Sequence, residues 1–271
     1  MKHLWRAAAV LALCAPWAGA GEAEREPTTG LLGAMGSEVR MLLDQLEHAQ
    51  EQRIEGVRFW TGRLRGRRVA IAMTGVGKVN AAITATLLHV HFHPAEVLFT
   101  GIAGGVNPDL KPGDIVVAAK TVQHDFGTLT AGGLTRKGAR NPITRDRNPL
   151  FFPADARLLR IAGESARRVA LGAVEGDRVP RVIQGVVATG DVFVALGEKR
   201  RELRKQLGAD AVEMEGAAVA QACWQWRVPC LVIRSLSDMA DRNAVRDVKA
   251  FLRTAAANSA TLVIDIVAHI E

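Results

Sequence analysis

The sequence predicts a single α/β domain. Short apolar runs typical of buried strands alternate along the chain with longer runs that have the periodicity of helices. The 271 residues are 48% hydrophobic and 23% charged, a balance typical of a soluble protein with one good-sized core. Neither an internal repeat nor a break in composition divides the chain, so we expect one domain over residues 21–271.

Residues 1–20 predict a secretory signal peptide. A positively charged start precedes an apolar run over 7–17, and Ala-Gly-Ala at the end of the segment is a small-residue cleavage site. The apolar run is too short to span a bilayer as a mature helix. We expect cleavage after Ala20, a periplasmic or secreted protein, and no membrane contact after processing. Lipidation at Cys14 is the weaker alternative, because Leu13 is too large to precede a lipidated cysteine.

The charge pattern favours a solvated basic surface. The net charge is +7, and loss of two cations with the signal peptide lowers it to +5 (7 − 2). The basic residues are scattered, and the chain has no Tyr to interleave with them. We therefore expect no nucleic-acid partner.

Two cysteines remain after the signal peptide is removed, Cys223 and Cys230. An oxidising compartment would permit a bridge between them. Both lie in apolar runs, where buried free thiols are common, and a disulfide has strict geometric demands. The sequence leaves both states open.

The first ninety residues predict three strands and two helices. We expect the strands at 30–35, 57–64 and 69–73 and the helices at 39–49 and 79–92.

A glycine-rich turn, Thr-Gly-Val-Gly-Lys at 74–78, precedes the second helix. Backbone amides at the N-terminus of a helix can hold an anion. The turn is not a Walker motif, so alone it is weak evidence for phosphate binding.

Three histidines near the end of the second helix raise a metal hypothesis. Only His89 and His93 would share a helix face, and no acid or cysteine is nearby in the sequence. We interpret the group, His91 included, as imidazoles near a helix C-terminus that ends before Pro94.

The rest of the chain continues the alternation of strands and helices. A strand at 97–100 leads into a loop at 101–105, whose small residues would let backbone amides approach a flat ligand. The segment 127–150 is rich in Gly, Thr and Arg, and we expect a long mobile loop that could serve as a lid. The other expected elements are strands at 113–118, 181–189 and 230–233, an alanine-rich helix after 215, and helices at 154–169, 198–207 and 245–270.

Three acids flank the last predicted strand and the alanine-rich helix. Glu213 and Glu215 precede the helix, and Asp238 follows the strand. Acids just outside the ends of buried elements face the usual ligand crevice of an α/β sheet. Each acid alone would be a cap or surface residue, but together they indicate a site. A fourth acid, Glu38, lies at the first strand–helix junction, where compensation of the helix dipole is the alternative role.

Seven short motifs occur along the chain. They are Gly-Ala-Met-x-x-Glu (33–38), Gly-Val-Gly-Lys-Val-Asn-Ala-Ala (75–82), Thr-Gly-x-Ala-Gly-Gly (100–105), Gly-Asp-Ile-Val-Val (113–117), Thr-Gly-Asp-x-Phe (189–193), Val-Glu-Met-Glu-Gly-Ala-Ala-Val-Ala (212–220) and Arg-Ser-Leu-Ser-Asp (234–238). In this order they resemble the nucleoside phosphorylase superfamily, most closely its 5′-methylthioadenosine/S-adenosylhomocysteine nucleosidase branch. The resemblance implies that superfamily's fold, a mixed twisted central sheet flanked by helices.

The resemblance also implies a reaction, the hydrolysis of an adenosine-type nucleoside by water with release of adenine. Neither a metal nor a cofactor is implied. Asp238 matches the acid that protonates a purine nitrogen, and burial would raise its pKa. Glu38 matches the residue that activates the attacking water. Glu215 matches the carboxylate that binds the ribose hydroxyls near the developing positive charge.

Further residues match positions that bind the nucleoside. Phe193 would stack on the base, and Met35 and Met214 would pack against the sugar. Ser237 and Arg234 would orient the acid and its neighbours. The remaining matches are Ala103, Gly104, Val194 and Glu213. Members of this branch are usually homodimers whose partner subunit borders the site, and the resemblance implies the same assembly.

Three departures from the family pattern leave the 5′ substituent of the substrate open. Ile102 stands where the family usually has Ser, and Val248 stands where an aromatic residue is usual. The segment 127–149 also differs, with Ala131 at the position of the partner-subunit Phe.

Two other functions remain as alternatives. A phosphorylase of the same fold would need an arginine-based phosphate clamp, whereas the first strand–helix junction carries Glu38. A secreted protein that only binds or stores nucleosides would not need the acid and both glutamates.

Overall fold

The structure is a computed structural model that describes residues 26–173 and 177–271. The predicted signal peptide and its cleavage site lie outside these residues, as do residues 174–176. The elements are, in order, β1 (Thr29–Gly33), α1 (Gly36–Asp44), β2 (Glu47–Ile54), β3 (Val57–Leu64), β4 (Arg67–Met73), α2 (Lys78–Phe92), β5 (Glu96–Gly105), β6 (Ile115–Gln123), β7 (Gly127–Thr130), β8 (Gly133–Arg136), β9 (Phe151–Pro153), α3 (Ala156–Arg168), β10 (Val182–Thr189), α4 (Gly197–Leu207), β11 (Ala211–Glu213), α5 (Gly216–Trp226), β12 (Cys230–Asp238) and α6 (Ala244–Ala268).

Ten of the strands form one mixed sheet. Their order is β11-β10-β6-β12-β5-β1-β4-β3-β2, and β9 pairs with β6. β11 also pairs with β5 in antiparallel orientation, so β5, β11, β10, β6 and β12 close into a ring. The predicted α/β class, with a mixed sheet and flanking helices, is confirmed.

Two large apolar clusters lie between the sheet and its helices, and a third, smaller cluster lies between α4 and the strands β6, β10 and β11. Because successive side chains of a strand point to opposite faces, Leu31 and Leu32 enter different clusters, and Leu98 and Phe99 do the same. One large cluster packs beneath α1, α3 and α6, and the other large cluster beneath α2 and α5. The central strands are therefore buried on both faces, which explains their continuous apolar sequences.

Helix α6 contains an apolar stretch, Phe251–Ala268, that is long enough to cross a membrane by length and composition alone. In the structure this helix packs against β12, β5, α1 and α3, and more than half of the stretch is buried. It is therefore a core helix of the fold.

The predicted helix over 39–49 is wrong at its C-terminal end. The helix ends at Asp44, and the chain then forms β2, which pairs with β3 at the edge of the sheet. Nearly every residue of β2 is exposed. A strand with two solvated faces has no hydrophobic alternation, so the sequence gives no sign of it.

The predicted loop at 101–105 is also wrong, because β5 continues through Gly105. β12 pairs with β5 along one side as far as Gly104, and β11 pairs with Gly104 and Gly105 on the other. β12 is correspondingly longer than predicted and ends at Asp238 rather than at Ile233.

The segment 127–150 contains a β-hairpin and is not the wholly irregular loop that the sequence predicts, and its role as a lid stays a prediction. It begins with a β7–β8 hairpin, and a buried hydrogen bond of 3.1 Å then joins the Asn141 side-chain amide to the Asn148 amide oxygen. None of its residues lines the candidate site described below.

Cys223 and Cys230 are free thiols in the structure, and burial raises the pKa of the Cys223 thiol. His89 is buried and stacks on Trp226 with ring centroids 5.1 Å apart. Burial lowers the pKa of His89 to about 4. Neither nitrogen of its ring has a hydrogen-bond partner, so its role is packing rather than capping. Within residues 26–173 and 177–271, no group of three or more His, Cys, Asp or Glu residues could hold a metal ion.

Candidate active site

Four buried acids and several apolar side chains surround a cavity of about 190 Å³ near the carboxyl ends of the central strands. Eleven of the twelve residues predicted from the sequence line it, and the twelfth, Arg234, lies behind Glu213. The lining residues are Ala34, Met35, Glu38, Val76, Ile102, Ala103, Gly104, Val192, Phe193, Val194, Val212, Glu213, Met214, Glu215, Ser237, Asp238 and Val248.

Glu38 lies in the first turn of α1 and is held by three backbone amides. Its Oε2 accepts hydrogen bonds from Ala34 N–H at 2.6 Å and Met35 N–H at 2.8 Å, and its Oε1 accepts one from Ile102 N–H at 3.1 Å. Burial raises the pKa of this carboxyl, although Arg234 and the amides oppose the rise. The side chain therefore does more than compensate the helix dipole, because it ties β5 to the start of α1.

Position 101 requires glycine because the Glu38 and Arg234 side chains lie very close to the backbone there. A Cβ atom at this position would lie 2.7 Å from the Glu38 carboxylate and 3.0 Å from the Arg234 guanidinium. Only glycine leaves room for these two side chains to lie next to the β5 backbone.

Glu213 and Arg234 form a buried ion pair under the cavity. Arg234 Nη2 lies 2.8 Å from Glu213 Oε2, and the guanidinium also stacks 4.1 Å above the Phe99 ring. The same Oε2 accepts the N–H groups of Glu215 and Gly216, while the Thr189 hydroxyl donates to Oε1. Both carboxylate oxygens are thus occupied within the protein, and Glu213 supports the turn that carries Glu215.

Glu215 lies at the N-terminus of α5, and its Oε1 accepts a 2.7 Å hydrogen bond from Gly77 N–H. The glycine-rich turn before α2 therefore holds an anion, but the anion belongs to the protein itself. Burial and the neighbouring Glu213 raise the pKa of Glu215 to about 7, against the opposing effects of Arg234 and the Gly77 amide.

Asp238 ends β12 and is almost fully buried. Its Oδ1 accepts Ala240 N–H at 2.7 Å, and the Ser237 hydroxyl donates to its Oδ2 at 2.9 Å. Burial raises the pKa of this carboxyl, and these two hydrogen bonds oppose the rise. Gly104 on the adjacent strand makes room for it, since a Cβ there would lie 2.9 Å from Oδ1.

Apolar residues form the remainder of the cavity wall. Val192 and Phe193 lie on the turn after β10 and are half-exposed, and Val76 lies on the turn before α2. Ile102 and Val248, two of the three departures from the family pattern, both line the cavity. The cavity therefore combines an acidic floor with an apolar mouth.

Several residues at the site were not predicted from the sequence. Gly77 and Thr189 hold Glu215 and Glu213 across sequence separations of 138 and 24 residues, which no local pattern reveals. Val76 and Val192 are ordinary apolar residues inside recognised motifs. The only signal for them was their position, Val76 inside the glycine-rich turn and Val192 beside Phe193.

The charges of the site would stabilise a positive charge that develops on a bound molecule. Glu38, Glu215 and Asp238 all have raised pKa values caused mainly by burial. Among the residues that the structure describes, the cavity lining includes neither Lys nor Arg, and Arg234 is paired with Glu213. Such a site can donate a proton and stabilise positive charge, but it offers no clamp for a phosphate.

Comparison with known proteins identifies relatives along nearly the whole described chain. A family model described as the phosphorylase superfamily matches residues 28–268. The chain is 38% identical over 243 residues to the 5′-methylthioadenosine/S-adenosylhomocysteine nucleosidase of Mycobacterium bovis, a match that covers 88% of this chain and 95% of that protein.

Solved structures give the same picture. The nucleosidase of that name from Neisseria meningitidis, in complex with methylthio-immucillin-A, superimposes with a TM-score of 0.79 at 36% identity, covering 90% of this chain and 99% of that one. The futalosine hydrolase of Helicobacter pylori superimposes with a TM-score of 0.78 at 32% identity and the same coverage.

Proposed function

The chain belongs to the phosphorylase superfamily, and on that premise we propose that it is an exported nucleosidase acting on 5′-methylthioadenosine, S-adenosylhomocysteine or closely similar nucleosides. It is a hydrolase that cleaves the N-glycosidic bond of adenine nucleosides, the activity for which its relatives are named. The observation that carries the proposal for its mechanism is the acidic cavity, in which three buried carboxyls have raised pKa values and the lining residues that the structure describes include neither Lys nor Arg.

Asp238 supplies the proton that the leaving base needs. Burial raises the pKa of this carboxyl, which favours its protonated form, and the Ala240 amide and Ser237 hydroxyl fix its orientation. Transfer of this proton to a ring nitrogen lets the purine leave as a neutral molecule, while the C–N bond breaks and positive charge develops on the ribose. Phe193 lies on the cavity wall where it can cover the flat face of the base.

Glu38 and Glu215 act on the sugar side. Glu38 is held rigidly by three amides and takes a proton from the attacking water, whose oxygen forms the new bond to the anomeric carbon. Glu215 accepts hydrogen bonds from the ribose hydroxyls and places negative charge near the developing cation. Because Glu213 and Arg234 neutralise one another beneath it, the charge of Glu215 faces the substrate.

A panel of nucleosides tests this proposal. The mature protein is incubated with adenosine, 5′-methylthioadenosine, S-adenosylhomocysteine and futalosine, with and without phosphate, and free base and sugar are measured. We expect equal release of adenine in both buffers together with a free sugar. Release only with phosphate, with ribose 1-phosphate as product, would identify a phosphorylase. A protein that only binds nucleosides would release no base in either buffer.

Futalosine belongs in the panel because a futalosine hydrolase superimposes as well as the adenosine-directed enzymes do. Ile102 and Val248, which line the apolar part of the cavity, would contact the 5′ substituent of the bound nucleoside. A preference for futalosine would retain the mechanism and change the assigned substrate.

We also propose that the protein is exported after removal of residues 1–20. The support is the sequence pattern of a charged start, an apolar core and a small-residue cleavage site. Mass spectrometry of the protein from the periplasmic fraction should give a mature N-terminus at Gly21. An intact Met1 or a lipidated Cys14 would contradict this assignment.

A second copy of the chain is the partner that we propose for the exposed face of α2. Val79, Ile83 and Val90 lie on this helix at a spacing that places them on one side, and all three are exposed. Trp226 on the adjacent α5 is also exposed. Light scattering at micromolar concentration should give a dimer, and Ile83→Glu should give a monomer. A monomeric wild type would exclude this assembly.

A further inference from the structure

A cluster of three charged residues lies beside the candidate site without lining the cavity. The Lys78 ammonium is 2.6 Å from Asp125 Oδ1 and 3.8 Å from Asp191 Oδ2. The backbone closes the cluster, because Lys78 N–H donates to Asp191 Oδ1 and Asp191 N–H donates to Asp125 Oδ2, both at 2.8 Å. We call Lys78, Asp125 and Asp191 the lysine latch.

The lysine latch joins three segments of the chain. Lys78 begins α2 and directly follows Gly77, whose N–H holds Glu215. Asp191 directly precedes Val192, Phe193 and Val194, which line the cavity. Asp125 follows the end of β6, where Gln123 also accepts a hydrogen bond from the Lys78 ammonium. The latch thus connects the amide that holds a carboxylate of the site to the turn that carries Phe193.

An ordinary surface ion pair would contribute little. This cluster differs because the Lys78 side chain is only 16% exposed and each of its three members also takes part in a hydrogen bond with a backbone N–H group. Charge-assisted hydrogen bonds of this kind are shorter and stronger than neutral ones. The two connected turns also fit closely, since a Cβ at Gly77 would lie 3.3 Å from Asp191 Oδ1.

We propose that Lys78 is a positioning residue which, through Asp125 and Asp191, fixes the turn of residues 190–194 against the N-terminus of α2. Phe193 then stays beside the base and Gly77 stays on Glu215. The proposal rests on the proposed nucleosidase function for its kinetic consequence, but the structural consequence is independent of it. Loss of the latch lets the turn move, which weakens substrate binding more than it weakens the proton transfer at Asp238.

The test compares Lys78→Met, Lys78→Arg and Lys199→Met with the wild type. Methionine keeps the aliphatic chain and removes the charge, and arginine restores a cation. Lys199 is the matched control because it pairs with Glu202 within α4 and lines no part of the cavity. We expect Lys78→Met to raise KM for 5′-methylthioadenosine on the order of tenfold with a smaller change in kcat, because small displacements of positioned groups have large effects. Lys78→Arg should recover most of the loss, and Lys199→Met should match the wild type.

Hydrogen exchange separates this proposal from the proposed function. The amides of residues 190–194 should exchange faster in Lys78→Met than in the wild type or in Lys199→Met, because they lose the latch that closes the turn. This result is expected whether or not the wild type releases adenine. If the wild type is inactive on every nucleoside, the proposed function fails and hydrogen exchange still tests the latch.

Two outcomes would overturn the proposal. One is exchange at residues 190–194 that is the same in Lys78→Met and in the wild type. The other is an active Lys78→Met enzyme whose KM is unchanged and whose only defect is a lower melting temperature, which would show a purely stabilising role.

Discussion

Two groups of buried acids differ in how their charge is compensated. In the scaffold, Glu96, Asp114 and Asp210 have five arginine partners between them, namely Arg67, Arg157, Arg178, Arg181 and Arg204. At the site, Glu38, Glu213, Glu215 and Asp238 are buried to a similar degree. The one arginine among them in the described chain, Arg234, forms an ion pair with Glu213.

The difference shows how a fold can hold excess negative charge. At the site, backbone N–H groups replace the missing cations: three contact Glu38, two contact Glu213, and one each contacts Glu215 and Asp238. An N–H dipole orients a carboxylate without cancelling its charge. The scaffold acids are therefore suited to stability, and the site acids remain able to exchange protons and attract a cation.

The largest effect should come from neutralising the acids that we assign to chemistry. Asp238→Asn keeps the size of the side chain and has no acidic proton to give, so kcat should fall by about 10²–10⁴-fold. Glu38→Gln should cause a similar loss by leaving the water unactivated. The measurement is steady-state release of adenine, with circular dichroism to confirm folding. Full activity in Asp238→Asn would show that the acid is misassigned.

A scaffold acid should give the opposite result. Asp114 accepts hydrogen bonds from Arg178 Nη1 at 2.6 Å and from the N–H groups of Lys111 and Arg181 at 2.9 and 2.8 Å. Asp114→Asn removes the charge and part of this network, so the free energy of unfolding should fall by roughly 1–3 kcal/mol. Denaturant titration measures the loss.

In the same variant kcat should stay within about twofold of the wild type wherever the protein is folded, because the side chain lies away from the cavity. A large loss of kcat in folded Asp114→Asn would remove the distinction between the two groups of acids.

A comparable effect on stability should depend on pH. The pKa of Glu215 is about 7 in the folded protein, against an ordinary value of 4.5 for a solvated glutamate, so between these values the folded state holds a proton that the unfolded state releases. This contribution to stability is complete below pH 4.5 and is lost as the pH rises through 7. Glu215→Gln removes the buried charge and should therefore be more stable than the wild type at pH 8, by on the order of 2 kcal/mol.

The gain should disappear at about pH 4, where the folded and unfolded states both hold the proton, although the variant should bind the sugar poorly at either pH. Denaturant titrations at both pH values measure the effect. The exposed Glu164→Gln is a matched control that should show no such difference, since Glu164 lies in a surface pair with Arg160. Equal stabilities of Glu215→Gln and wild type at pH 8 would mean that the site holds this charge without a cost.

The sequence predicted those parts of the fold whose burial is continuous. The runs around Leu98 and Val232 have both faces covered, and they were correctly assigned as strands. β2 was missed because its residues are solvated on both faces and only pairing with β3 holds it. The continuation of β5 through Gly105 was missed because its cause is the distant β11.

For the site, the sequence predicted which residues meet but not how the charges of the acids are compensated. The motifs supplied eleven residues that the structure brings to one cavity, but their roles remain predictions until the variants are measured. The compensation of the acids was not predictable, because the Gly77–Glu215 hydrogen bond and the Arg234–Glu213 pair join residues far apart in the chain. A local pattern can mark an acid, whereas its protonation depends on the three-dimensional arrangement around it.

The closed ring of five strands has a consequence for how this enzyme could diversify. Glu213 and Asp238 stand on two strands of that ring, β11 and β12, so the separation of these acids is set by pairing within the sheet. Val76, Val192 and Val248 lie outside it, on two turns and on α6. Substitutions at these three valines can change the shape of the cavity wall, so that it accepts a different substrate substituent, without changing the positions of Glu213 and Asp238. A directed-evolution library confined to the three valines is thus a compact route to altered selectivity.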